Sequence, residues 1–552
     1  MTTLNKNIKA SVIAVAIAIA AIACAQANPQ FTNDGYSLGS IPPPISIPPE
    51  SGGLSLAPLN PQFTNNQQNQ TCEGYSLGYV PAPISIPPEN GGLKLAPVNP
   101  QFIKYLENRS TNFPQSQTSD GYSLGYIPPP LQIPKEVAPI GLNTVKALAL
   151  PTTFDLRTVN GVTSIKDQGA CGSCWAFASY GSLESFLKYK AAKKETRNFS
   201  EADVNQYHGF DSRECEGGNH FMSTAYLARW SGPLNEVDVP YPYALGPQSA
   251  PGVAIQKHIQ NVWFIPNRSA PGPTYNTTVK TAVQTYGAVF VSFQYEANYY
   301  NPTNAAYYTT KTGGNHAVTI VGWDDNFSKT KFKSGLQPPG NGAFIVRNSW
   351  GKGWGESGYF YLSYYDKSLI LGTAFYNAQA TTNYKRAYEY DPLGWVNSAG
   401  WGTTSAKFAN VFLASAKAAN IKAVSFYTPV PNSKYQISIY KNVVAGNPVS
   451  GTMVKTISGT VARSGYNTIA SYAAGTAPPA VTGGKRFSVV ITLTTPGYNF
   501  PIPLEVPLEG YSSAANAYAG QSFLFASDNN WYDLTQYIGL ERANVNIKAF
   551  GG

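Results

Sequence analysis

A thiol, an imidazole and two side-chain amides stand in this 552-residue sequence at spacings suited to acyl transfer. Cys174 follows the tight Gly172-Ser173 pair and precedes Trp175-Ala176-Phe177-Ala178. Gln168 lies six residues before it. His316, within Gly314-Asn315-His316-Ala317-Val318, comes 142 residues after Cys174, and Asn348, within Arg347-Asn348-Ser349-Trp350-Gly351, comes 174 residues after it. A thiolate can attack a carbonyl carbon, an imidazole can take and return the proton, and an amide can orient the imidazole without adding charge.

These groups need elements to hold them. Ala176, Tyr180, Leu183 and Leu187 fall at i, i+4, i+7 and i+11, so residues 174–194 read as an amphipathic helix. Cys174 then sits at the positive end of the helix dipole, which favours a thiolate. Lys188, Lys190, Lys193 and Lys194 crowd the other end. Ala317-Val318-Thr319-Ile320-Val321 reads as a strand that carries His316 at its start.

The ordered motifs extend further. Leu150-Pro151, Phe154-Asp155-Leu156-Arg157, Ser200-Glu201, Cys215-Glu216-Gly217-Gly218, Tyr241-Pro242-Tyr243 and Trp354-Gly355-Glu356 flank the groups above. Together they resemble the papain-like cysteine peptidases over residues 150–380. The resemblance implies an α+β peptidase of two halves, one helical and one a β-barrel-like sheet, with the cleft between them. It implies an endopeptidase with Cys174 as nucleophile, His316 as its ion-pair partner and proton carrier, and Asn348 as the group orienting His316. Gln168 and the Cys174 N–H form the oxyanion hole by the same resemblance, and Trp350 shields the His316–Asn348 bond. Gly217 and Gly218 pair with an extended substrate, while His220, Gly314 and Asn315 fall near the pocket for the second residue before the scissile bond. His208 and His258 lack a matching context. Cys171 and Cys215 occupy the positions of a family disulfide, whereas Tyr207 stands where a second one begins. No metal or other cofactor is expected.

Upstream, Lys6 and Lys9, an Ala/Ile/Val run and Ala25-Gln26-Ala27 read as a secretory signal over residues 1–27, with cleavage after Ala23, Ala25 or Ala27. This points to a secreted protein, at the surface or in a periplasm, and an ordinary cleaved signal is preferred to lipidation of Cys24. No later segment is long and apolar enough to span a membrane. Residues 28–149 are Pro-, Asn-, Gln- and Ser-rich, carry the unassigned Cys72, and repeat. Gly-Tyr-Ser-Leu-Gly starts at Gly35, Gly74 and Gly121, each copy followed by a proline-rich run, and Asn-Pro-Gln-Phe starts at Asn28, Asn60 and Asn99. Such runs favour extended, largely disordered chain. Two readings compete: a spacer or tether, or a propeptide whose last copy, residues 121–134, docks on the peptidase through Tyr122, Leu124, Tyr126 and Ile127.

Residues 384–552 contain no cysteine or histidine and alternate like strands at Val424-Ser425-Phe426-Tyr427 and Tyr435–Tyr440. They read as an all-β sandwich. Tyr388–Trp395 and Ala423–Tyr427 resemble the lectin-like domain that follows some prokaryotic peptidases of this family. Trp395, Trp401 and Trp531 are read equally as sugar platforms or as core. The net charge of +9 forms no long basic block outside 188–194, which argues against nucleic acid. The partners expected are protein or peptide substrates, with glycans or cell-surface polymers for the C-terminal domain. Two alternatives share these residues: an adhesin with a vestigial peptidase, and a transpeptidase using the same triad.

Overall fold

The structure, a computed structural model, describes residues 92–109, 117–134, 150–242 and 253–552. All of them belong to the compact unit spanning Ser76–Gly552. The signal segment, Cys24, Cys72 and the first two Gly-Tyr-Ser-Leu-Gly copies lie outside the described residues. Among the described residues, no helix is long and apolar enough to cross a membrane.

The helical half is built around the Cys174–Tyr189 helix. This helix ends five residues earlier than the sequence suggests, and residues 174–187 are buried on every side. It packs against the His316–Asp324 strand on one side and the His220–Ala228 and Glu201–Tyr207 helices on the other. A helix enclosed this way has no solvent face, so the amphipathic expectation gives way to a fully buried one. Ser200 caps the Glu201–Tyr207 helix by accepting from Asp203 N–H, and Asn219 caps the His220–Ala228 helix by accepting from Phe221 and Met222 N–H.

The second half is an eight-stranded sheet. Its centre runs Val289–Phe293, His316–Asp324, Ala343–Arg347 and Tyr359–Ser363, all antiparallel. Thr153–Asp155 pairs with Gly322–Asp324, which fixes the start of the domain against the sheet. His316 and Asp324 are opposite ends of one nine-residue strand, about 26 Å apart at ~3.3 Å per residue. The 324–341 loop therefore starts and ends at the strand end remote from His316. It is pinned by Phe327 and Phe332 in a small cluster with Tyr308.

The C-terminal region is a sandwich of a seven-stranded and a six-stranded sheet sharing one apolar core, with Phe408, Phe426, Ile437 and Ile491 fully buried. The seven-stranded sheet crosses the domain boundary. Peptidase strands His258–Phe264 and Thr373–Gln379 pair with each other, and Trp263, Val262 and Asn261 pair with Gly465–Asn467. Arg463 sits 5.1–5.5 Å from the rings of Trp263, Tyr286 and Tyr376. The two domains thus share one continuous sheet.

Residues 92–109 and 117–134 of the N-terminal segment are more ordered than their composition implies. Lys94–Leu95 is a strand on the Asn397–Gly400 edge, Pro100–Arg109 is a helix, and residues 117–134 run extended across the peptidase. Burial of Phe102, Leu131 and the three prolines 128–130 accounts for the order.

Candidate active site

Cys174 opens its helix, and the N-cap Ser173 makes no side-chain cap bond; the Cys174 and Trp175 N–H groups act on the thiol, while Ala176 N–H donates to Ser173 O at 2.8 Å. The Cys174 Sγ accepts from Ala317 N–H at 3.3 Å, which sets it beside the start of the His316 strand. His316 Nε2 and Asn348 Oδ1 are 2.7 Å apart, and Trp350 stacks on the imidazole at 4.4 Å and 20°. His316 Nδ1 is buried with no hydrogen-bond partner. The structure thus brings Cys174, His316, Asn348 and Trp350 together at one end of the His316–Asp324 strand.

Gln168 is tied to the same strand end. Its backbone N–H donates to Ser349 O at 2.8 Å, and its Oε1 accepts from Ser349 Oγ at 2.6 Å. Tyr241 Oη donates to Gln168 O at 2.6 Å and lies 2.9 Å from Ser173 Oγ. Ser349 and Tyr241 therefore position the amide and the helix start. Their motifs were visible in the sequence, but no spacing rule gave them that task. A buried ion cluster lies behind them. Lys166 Nζ contacts Glu184 Oε1 at 3.0 Å and Glu201 Oε1 at 2.6 Å. Cys171 and Cys215 are joined as a disulfide.

The cleft is filled by the chain itself. Tyr122 stacks on Trp350 at 4.7 Å and 17°. Ser123 O accepts from Gln168 Nε2 and from Trp350 Nε1, both at 3.1 Å. Gly125 and Tyr126 N–H donate to Asn315 O, Gly218 N–H donates to Gly125 O at 2.9 Å, and Ile127 N–H donates to Gly218 O at 2.9 Å. These are strand-addition contacts. They need glycine at several positions. A Cβ on Gly125 would lie 2.0 Å from Gly172 O, one on Gly217 2.8 Å from Gly125 O, and one on Gly218 2.5 Å from the Trp175 ring. Tyr122, Leu124, Tyr126 and Ile127, the residues of the last repeat expected to make the contacts, lie against the peptidase. The carbonyls of Ser123 and Gly125 do as much, and backbone groups carry no residue-type signal.

Around Tyr126 the expected pocket residues divide. A Cβ on Gly314 would be 3.2 Å from both the Tyr126 ring and Ser292 Oγ, so Gly314 leaves the room this side chain uses. His220 stands one ring further back, 5.2 Å from Phe290, which is itself 6.5 Å from Tyr126. Burial pushes the His220 pKa down to about 3, so it is a neutral core group. Asn315 contacts the segment only through its carbonyl. Its side chain bonds both Tyr295 N–H and Tyr295 O.

The expected ion pair is not the state of this closed cleft. Burial pushes the Cys174 thiol up to about 12, against the pull of N–H groups from Ala317, Trp175, Cys174 itself and Gly125. Burial pushes His316 down to about 4, against the pull of Asn348. Desolvation disfavours both charged forms, so the pair is neutral while the segment is in place. In the lectin-like region, Trp395 is 2% exposed, packed on Phe221, Phe264 and Tyr427, and its Nε1 donates to Ser398 Oγ. It is core, and a sugar-stacking role is excluded for it. Trp401 and Trp531 remain partly exposed.

Comparison with known proteins agrees with this architecture. Residues 150–377 match the papain family cysteine proteases, and residues 387–551 match the lectin-like domain. Ananain of Ananas comosus is 30% identical over 232 residues, which take in 41% of this chain and 59% of ananain. The chain thus spans about three fifths of the length of that curated relative. The crystal structure of the cysteine protease and lectin-like domains of Cwp84, a surface layer associated protein of Clostridium difficile, superposes with a TM-score of 0.70 at 25% identity. It covers 83% of this chain and 98% of its own. A Cwp84 variant described as after propeptide cleavage superposes with a TM-score of 0.63 at 27% identity, covering 72% of this chain and 98% of its own. Residues 150–377 are thus similar to the papain family cysteine proteases and residues 387–551 to the lectin-like domain, in the order in which Cwp84 carries the two.

Proposed function

We propose that this protein is a secreted peptidase that cleaves peptide bonds through a thioacyl-enzyme on Cys174, and that its N-terminal segment is a propeptide. His316 moves the proton, Asn348 orients His316, and Gln168 with the Cys174 N–H stabilises the oxyanion. The observation that carries this reading is the extended segment lying between Trp350 and Gly218. A peptide already fits there, with one carbonyl on the Gln168 amide and its backbone paired to Gly218 and Asn315. The segment keeps substrate out until it is removed. The signal-like leader makes the protein extracellular, and the lectin-like domain directs it to glycans or cell-surface polymers.

The test is a peptide-library digest with the activated protein and its Cys174→Ala variant. Cleavage by the first and none by the second is expected. Equal cleavage by both would overturn the mechanism. Joining of library peptides to added amines, without net hydrolysis, would identify a transpeptidase instead.

A further inference from the structure

The inhibitory segment is held at two places, and only one of them is the cleft. Residues 93–102 lie on the lectin-like domain. Lys94 and Leu95 pair antiparallel with Gly400 and Ala399, and Ala96 N–H donates to Ser398 O at 2.7 Å. Phe102 is fully buried, edge-on to Tyr511 at 5.4 Å. Tyr511 in turn packs on Phe210 at 5.0 Å and lies 3.2 Å from Asn219 Oδ1 through its hydroxyl.

This anchor grips the cleft segment directly. Asn99 N–H donates to Pro130 O and its Nδ2 to Pro129 O, both at 2.8 Å, while its Oδ1 accepts from Gln132 Nε2 at 2.8 Å. Leu131 and Ile133 are buried in the same apolar cluster as Phe102 and the sandwich core. From Tyr122 to Ile133 the chain therefore runs from Trp350, past Cys174, onto a platform that the C-terminal domain provides.

The sequence points the same way, independently of these contacts. Leu-x-Leu-Ala-Pro-x-Asn-Pro-Gln-Phe occurs at 54–63 as well as 93–102, and each copy is followed by Gly-Tyr-Ser-Leu-Gly. The anchor motif and the cleft motif repeat as one unit.

We propose that the lectin-like domain is half of the lock: it anchors the inhibitory segment, so a cut between Pro134 and Leu150 does not by itself open the cleft. This rests on the propeptide reading above. The cut removes a covalent tether that the anchor makes redundant. With Lys94–Phe102 still seated, the local concentration of residues 120–127 at the cleft stays high. Release requires the anchor strand and Phe102 to leave, so opening is coupled to whatever competes for the Asn397–Gly400 edge and the Tyr511 face.

The experiment uses the full chain with a sequence-specific protease site inserted between residues 135 and 149. Cleft access is read as the rate of Cys174 alkylation by iodoacetamide, and retention of the fragment by gel filtration. After cutting, the parent is expected to keep its N-terminal fragment and its slow alkylation. Phe102→Ala, which empties the Tyr511 contact, and Ala96→Pro, which removes the N–H donated to Ser398, are each expected to raise the rate by about tenfold or more on cutting. Ala96→Pro deletes no core side chain, so it decides the matter if Phe102→Ala unfolds. Loss of the fragment from the cut parent, or unchanged alkylation in both variants, would overturn the anchor. Alkylation does not depend on peptide cleavage. A protein that opens as described yet cleaves no peptide would sink the peptidase reading and leave the anchor standing.

Discussion

Gly125→Ala should open the cleft in the uncut protein. The new Cβ would sit 2.0 Å from Gly172 O, 2.3 Å from its carbonyl carbon and 2.7 Å from its Cα. Gly172 cannot retreat. It lies between the disulfide-bonded Cys171 and the start of the Cys174 helix, and its own Cα faces Cys215 O at close range. The segment must lift instead. Lifting breaks four backbone bonds: Gly125 and Tyr126 N–H to Asn315 O, Gly218 N–H to Gly125 O, and Ile127 N–H to Gly218 O. At about 1 kcal/mol net for each, the closed state loses about 4 kcal/mol, roughly a thousandfold in its population relative to open. The anchor on the lectin-like domain is untouched, so the segment should stay bound while the cleft opens. The assay is second-order labelling of Cys174 by a thiol-directed epoxide, alongside hydrolysis of one peptide substrate. Thermal unfolding of the same samples should show the fold intact. Labelling no faster than in the parent would refute the claim that this glycine is what lets the segment lie in the cleft.

Asn348→Ala in the activated protein should lower kcat while leaving measurable turnover, because Asn348 holds the His316 ring and makes no bond to substrate; a loss as large as that of Cys174→Ala would contradict an orienting role. Lys166→Met should destabilise the fold by about 3–5 kcal/mol in urea unfolding, since it strands the buried Glu184 and Glu201 carboxylates together. Glu505 supplies a pH test. Burial, with the Asp391 charge beside it, pushes its pKa up to about 8, so it is protonated in the fold and ionised in the unfolded chain at neutral pH. Stability due to this group is fully present below the unfolded value near 4.3 and declines as pH rises to about 8. Glu505→Gln should remove up to about 4–5 kcal/mol of that decline, read as unfolding midpoints across pH 4–8, and an unchanged pH profile would contradict the assignment.

The site was legible because its chemistry fixes residue types. Only a thiol, an imidazole and particular amides serve, and their neighbours Gly172, Ser173 and Trp350 repeat a known arrangement. Contacts made through backbone were not legible. Ser123 O on Gln168 and Asn315 O on Gly125 and Tyr126 would look the same with many side chains. The repeats marked residues 121–134 as special and the proline-rich run marked them as extended, which made docking on the peptidase one of two readings, but neither showed that the lectin-like domain also holds the segment. Composition also hid the anchor. Leu93–Phe102 has too few apolar residues to form a core alone, and it is ordered because Tyr511 and the Asn397–Gly400 edge complete its burial. The shared sheet across the domain boundary was missed for a related reason. His258–Phe264 alternates like any strand, and its pairing with Gly465–Asn467 is a contact some 200 residues away.

The closed cleft also explains why a cysteine at a helix N-terminus is not charged here. The helix start and four backbone N–H groups favour the thiolate, and Asn348 favours the imidazolium. Both lose to desolvation, because residues 122–127 replace the water that would share the charge. On the propeptide reading proposed above, the segment silences the protein twice. It occupies the groove that an extended substrate would take, and it holds Cys174 and His316 in their neutral, unreactive forms. One event reverses both. When the segment leaves, Gly125 N–H goes with it, but water and substrate dipoles reach the thiol while the Ala317, Trp175 and Cys174 N–H groups remain, so the balance moves back toward the charged pair. Latency and nucleophile activation are in this sense a single equilibrium, and the contacts at Gly125, Gly218 and Phe102 set where it lies.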